Sequence, residues 1–361
     1  MIAALSRWVD RVRGSGAFAV TTPPMDGALQ PNQAIESAEL VRDLTAPDNL
    51  VRLSDDVLAS SDADVVRLDG RGGPLHSFDA NVSALATALD GSLAAGLENG
   101  RILLKGGRYD GFSLDALGSH PLVCPTALAF ENPDTLIVCL GSRRNGPHSW
   151  KRDLMQRGSS GSVWRVPLGG SPVCLAEGLA YPNGILLSEN GRLIVSESWR
   201  SRLLSIEPSG RIEAVLSDIP GYPARLMPRT GGGSWLTVFA PRSQLVEFVL
   251  IERDFCEEMM RDVPEEFWIA PSLTAPQSFL EPLQGGSLKQ LGMLKPWAPT
   301  RSFGLVLALD EHFRPMASWH SRADGTRHGI TSCMEDGAGL LIASKGGNAV
   351  LRLFPDDGGR S

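Results

Sequence analysis

The chain of 361 residues has no basic surplus: 34 Lys and Arg stand against 41 Asp and Glu, a net charge of −7. Neutralising a phosphate backbone requires an excess of cations, so this balance argues against a nucleic-acid partner. Acidity of this size serves solubility. Long hydrophobic runs are missing too, and no stretch approaches the length that crosses a bilayer. The apolar start is broken by Arg7, Asp10, Arg11 and Arg13 before the core of a secretory signal can form. At most, Ile2 to Val12 makes a short amphipathic helix within a tail spanning residues 1–37. Cysteine is scarce: 5 residues, none in CxxC spacing, which leaves no framework for a structural zinc site. The odd count and wide spacing predict reduced thiols and a cytoplasmic protein.

Two common catalytic signatures are also lacking. Gly158-Ser-Ser-Gly161 does not have the spacing of a nucleophile elbow. Gly231-Gly-Gly-Ser234 is followed by neither Lys-Ser/Thr nor a helix start, so it is a hairpin turn and not a phosphate loop.

What is present is self-similarity. Val82–Gly96, Tyr181–Val195 and His328–Ser344 each read as a short apolar strand, an acidic or amide residue followed by Gly, and a second strand of small and β-branched residues. That is hairpin grammar, because Gly supplies the positive φ of the turn. Third and fourth strands follow, as in Arg202 to Glu207 and Glu213 to Ser217. Four short strands recurring every ~35–50 residues predict a β-propeller. Six units start near Pro47, Val82, Pro125, Pro182, Pro223 and His328, giving an all-β, six-bladed propeller over residues 38–355 with a short tail at 356–361. The fifth unit is split by an insertion at about 242–301, in which Leu245 to Met260 reads as helix. The last unit lacks a fourth strand, which Ala38 to Leu44 is placed to supply, removing an open edge.

Several stretches resemble the strictosidine synthase-like proteins. Tyr181-Pro-Asn-Gly-Ile-Leu-Leu-Ser-Glu-Asn-Gly is similar to that family's "aNGvaLSpDG" blade, and Leu216-Ser-Asp-Ile-Pro-Gly-Tyr-Pro to its "lPGYPDNI" segment. The resemblance extends to the wider gluconolactonase-type (SMP-30) propellers and implies hydrolysis of esters or lactones, with calcium at the propeller axis.

Aligning the units on their Gly turns brings Asp48, Ser83, Thr126, Asn183 and Ala224 into register at the axis, with His328 or Thr331 from the last unit. Asp48 and Asn183 are the candidate metal ligands, and Ser83, Thr126, Arg225 and Thr331 the candidate substrate contacts. One carboxylate and one amide make a thin set for calcium, which takes six to eight oxygens. The metal-free alternative is that Arg225 pairs with Asp48 or meets an anionic group of a substrate directly. His328 is the candidate for acid–base work at the channel mouth, since its imidazole titrates near neutrality. The Glu to which the resemblance attributes amine–aldehyde condensation is replaced by Thr331 or Ser332, and Glu335 lies at the far end of its strand. Three functions stay open: a small-molecule hydrolase using Asp48, Asn183, His328 and Arg225; a propeller that binds a small molecule or protein without turnover; and, behind both, that condensation.

Overall fold

The computed structural model describes residues 22–188, 190–278, 280–281, 289–290, 293–294 and 300–355. The expected helix at Ile2 to Val12 and the tail at 356–361 lie outside the described residues. Six four-stranded antiparallel sheets form a six-bladed β-propeller, and their innermost strands are Pro47–Leu53, Val82–Thr87, Pro125–Asn132, Pro182–Leu187, Gly221–Pro228 and Ile330–Glu335. Inner hairpins turn at Gly91, Gly191 and Gly337, all at positive φ of 78–87°. Glu39–Asp43 pairs with Ala349–Leu353 as the outer strand of the sixth blade, so that blade is built from both ends of the described chain.

The core is divided among the blade interfaces. Successive residues of one strand point to opposite faces, and each face of a blade packs against a different neighbour. Thus Leu193 and Val195 join Ala127 and Ile137 between the third and fourth blades. Ile194, between them in sequence, joins Leu236 and Leu305 between the fourth and fifth. Burial on both faces explains why these strands read as continuous apolar runs. Replacing Leu193 or Ile194 by Ala would cost ~2–5 kcal/mol in cavity and transfer terms.

The insertion leaves the fifth blade after Ser234–Pro241 and returns at Leu305–Leu309. It carries two helices, Gln244–Ile251 and Arg253–Asp262, where one was expected; Glu252, at φ −84° and ψ 81°, breaks the run. The Ser243 hydroxyl caps the first helix by accepting from Val246 N–H. Val246, Val249, Leu250, Cys256 and Met259 bury against Tyr222, Phe239 and Leu154, fastening the insertion to one face of the ring. None of the described helices is long and apolar enough to cross a membrane.

Candidate functional site at the propeller axis

Each innermost strand contains one extra residue near its start, seen as a register shift against its neighbour in all six blades. A β-bulge re-aims the backbone and side chain where it occurs. Six bulges at one level converge on the axis and bring Asp48, Ser83, Thr126, Asn183, Arg225 and Thr331 to the wall of one cavity. In the fifth blade Pro223 opposes Val238 and Leu226 opposes Leu236, so Ala224 and Arg225 share the place of one residue. The side chain that reaches the axis is Arg225; the Ala224 carbonyl turns aside to accept from Ser196 Oγ at 2.6 Å.

The bulges are held by polar links running round the whole ring. Asn49 Oδ1 accepts from Leu85 N–H, joining the first blade to the second. Ser83 Oγ donates to Pro125 O at 2.6 Å, Thr126 Oγ1 to Pro182 O at 2.5 Å, and Ser196 Oγ to Ala224 O. Thr237 Oγ1 donates to Thr331 O at 3.0 Å, and Thr331 Oγ1 to Asp48 O at 2.9 Å, which completes the circle. The hydroxyl protons of Ser83, Thr126 and Thr331 are therefore committed to blade-to-blade bonds. What these residues offer the cavity is oxygen lone pairs. The Asn183 amide has no hydrogen-bond partner among the described residues and lines the same cavity.

Arg225 occupies the centre. Its Nη1 donates to the Asp48 carboxylate at 2.7 Å and to the carbonyls of Asp48 and Thr331, both at 3.3 Å. Its Nη2 donates to the carbonyls of Ser83 at 2.7 Å and Thr126 at 3.3 Å. One guanidinium thus ties its own blade to four others. Lys345, in the turn after Leu340–Ser344, places Nζ 2.6 Å from the other Asp48 oxygen. Burial alone would push the Asp48 pKa up, but Arg225 and Lys345 together hold it below its ordinary 3.8. Two cations against one carboxylate leave the axis with one surplus positive charge.

This arrangement does not fit the calcium ion expected at Asp48 and Asn183. Calcium draws on carboxylate and carbonyl oxygens, and here Asp48 is neutralised on both oxygens while four axial carbonyls already face the guanidinium. No group of three or more His, Cys, Asp or Glu is disposed to hold a metal among the described residues.

His328 is not brought into the cavity. It is fully buried, with Nε2 2.8 Å from Arg322 O and Nδ1 2.7 Å from Ser302 Oγ. A carbonyl can only accept, so Nε2 carries the proton and Nδ1 accepts from the Ser302 hydroxyl. Burial lowers its pKa and holds the ring neutral. Both nitrogens are engaged, which leaves no lone pair for a substrate and gives no support to the acid–base role expected of it. Glu335 lies on the opposite side of the ring, accepting from Trp235 Nε1 at 2.7 Å. A second cavity opens there, and Arg225 borders both.

The remaining wall of the mouth is apolar: Pro147, Trp150, Tyr181, Phe239 and Leu273. Trp150 begins the helix Trp150–Met155 and meets Phe239 edge-on at 5.5 Å. Tyr181 stacks on Trp199 at 4.4 Å, and Trp199 Nε1 donates to the buried Asp153 carboxylate, which also accepts from Asn145. Leu273 comes from the insertion. Its carbonyl rests on Gly346, where any Cβ would stand 1.7 Å from that oxygen. Lys345 and Leu273 were not anticipated. The only sequence signal for either was the Lys-Gly-Gly turn, whose closing glycines mark a tight backbone approach.

No protein-family model matches the chain, and no curated protein does. Among solved structures, one described as a "putative gluconolactonase" is similar over 88% of this chain and 93% of its own, with a TM-score of 0.52 and 13% identity. A chain of a nidogen/laminin complex covers 56% of this chain and 77% of its own, with a TM-score of 0.41 and 16% identity. The first likeness is one of fold alone, a six-bladed β-propeller.

Proposed function

We propose that the protein binds a small organic anion at the axial mouth without a metal, its charged group on Lys345 in the field of the Arg225 guanidinium and its apolar body against Trp150, Tyr181 and Phe239. The observation that carries this reading is the surplus positive charge at the base of an aromatic-walled cavity. An ammonium group takes carboxylate or phosphate oxygens through charge-assisted hydrogen bonds, and a flat apolar wall favours a ligand with a planar or aliphatic body. The Asn183 amide, without a hydrogen-bond partner among the described residues, offers a further donor and acceptor.

Hydrolysis of a lactone or ester is the second reading, favoured by the likeness to the structure described as a "putative gluconolactonase". Water would add to the carbonyl carbon, the acyl C–O bond would break with the water's proton passing to the leaving alkoxide, and the charges of Lys345 and Arg225 would stabilise the oxyanion formed in between. Among the described residues the mouth has no free general base: Asp48 is held ionised between two cations, and His328 is enclosed. Binding therefore stands first.

The test is calorimetric titration with aryl and alkyl carboxylates beside their neutral amides, together with a lactone and aryl-ester hydrolysis screen. Carboxylate-selective binding that is lost in Lys345→Met supports the anion site. Equal affinity for the amides would overturn it. Turnover sensitive to Lys345→Met would move the assignment to the hydrolase.

A further inference from the structure

We propose that Arg225 is the resident axial cation of this propeller, a side chain doing the work of a bound divalent ion, and that it covers a latent metal site that opens when the guanidinium is removed. The bulges direct the carbonyls of Asp48, Ser83, Thr126 and Thr331 inward, and the ring of blade-to-blade bonds fixes them there. Four carbonyl dipoles and a carboxylate converging on one point repel each other unless a cation lies between them. The guanidinium meets all five with a single side chain. Its planar fork has donors enough for several blades at once, which a Lys ammonium, a compact point charge on a flexible stem, does not reproduce.

Removing the side chain would leave those five oxygens, with the Asn183 amide oxygen on the same cavity wall. Six oxygens, among them the Asp48 Oδ1 that is freed while Lys345 keeps Oδ2, are a donor set of the kind that calcium accepts. In the natural protein the same oxygens are saturated, so calcium has nothing to gain by entering. The fold and the mouth are then indifferent to divalent ions and chelators. This inference does not depend on what the mouth binds, because it is read from stability and metal binding alone.

The experiment compares the full chain with Arg225→Ala and Arg225→Lys. Thermal unfolding is followed in EDTA and in millimolar calcium chloride, with calcium titration calorimetry and terbium luminescence sensitised by the aromatic residues of the mouth. The natural protein is expected to show the same midpoint in both buffers and no axial calcium. Arg225→Ala is expected to unfold several degrees lower in EDTA, to recover most of that loss in calcium, and to bind one ion. Arg225→Lys should be intermediate in stability and bind calcium more weakly than Arg225→Ala. A natural protein destabilised by EDTA, or one that binds calcium in a manner abolished by Asp48→Asn, would overturn the proposal. So would a folded Arg225→Ala that neither binds calcium nor is stabilised by it. Should Arg225→Ala not fold in EDTA, Arg225→Gln carries the same comparison.

Discussion

Arg225 and Asp48 meet at 2.7 Å across the propeller axis, although 177 positions separate them in the chain. Lys345 closes on the other carboxylate oxygen, and the three side chains together set the charge of the mouth. Stability and binding pull in opposite directions at this point. The carboxylate keeps two cations from repelling each other, and the same carboxylate weakens their hold on an external anion.

Asp48→Asn separates the two effects. Leaving two cations without their shared anion is expected to destabilise the fold by ~3–5 kcal/mol, the cost of breaking a buried ion pair. Affinity for a carboxylate ligand should rise by about tenfold, equivalent to ~1.4 kcal/mol. Because the folded-state pKa of Asp48 lies below 3.8, its contribution to stability is complete above that value and is lost as pH falls through the lower folded one. The variant should lose that part of the acid limb, as measured by denaturant titration across the acid range.

His320 supplies a second, milder pH dependence. It is fully buried, and desolvation lowers its pKa from 6.5 to about 4. The unfolded chain therefore binds a proton that the folded chain refuses. Stability is full above pH 6.5 and falls as pH drops towards 4, by ~3 kcal/mol over the window. His328 is shifted in the same direction. His320→Phe is expected to reduce the slope by about one proton, which urea midpoints at a series of pH values would reveal.

Thiol chemistry should divide the cysteines sharply. Cys124, Cys139, Cys256 and Cys333 are buried, and only Cys174 is exposed. Burial pushes Cys124 up to about 12, and its Sγ lies under the Tyr181 hydroxyl. A disulfide reagent is expected to label one thiol per native chain and five after denaturation. Rapid native labelling of Cys124 would mean that the aromatic wall opens.

Gly346→Ala tests how the insertion is seated. The new Cβ would stand 1.7 Å from the Leu273 carbonyl, an overlap with backbone that no rotamer change relieves. The segment carrying Leu273 must lift, at a cost of ~1–3 kcal/mol. Ligands too long for the native mouth should then gain affinity relative to short ones, measured by calorimetry with a homologous series of carboxylates.

The blades were legible because a strand packed on both faces is written as an unbroken apolar run and its hairpin as a residue pair ending in Gly. Pro47, Val82, Pro125 and Pro182 start their blades as read. The split fifth blade was legible for the same reason. The axial register was harder. A bulge adds a residue without changing composition, so alignment on the Gly turns put Ala224 where Arg225 stands. His328 was read at the channel mouth from its place before a strand; Ser302 and Arg322, which enclose it, come from other segments. Lys345 lies in a turn, outside the strand pattern that guided the search. The Glu252 break in the insertion helix had no Gly or Pro to announce it.

The sixth blade takes its outer strand, Glu39–Asp43, from the early part of the chain and its other three strands from the last described residues. During synthesis the early strand leaves the ribosome first and has no partner until Ala349–Leu353 follows. Five blades can stack in order as they emerge, but the circle stays open until nearly the whole described chain is out. Losing either strand would leave an unpaired sheet edge where the ring should meet itself, a surface prone to joining other molecules. The propeller is therefore finished in one late event, and its exposure to aggregation should peak just before that event.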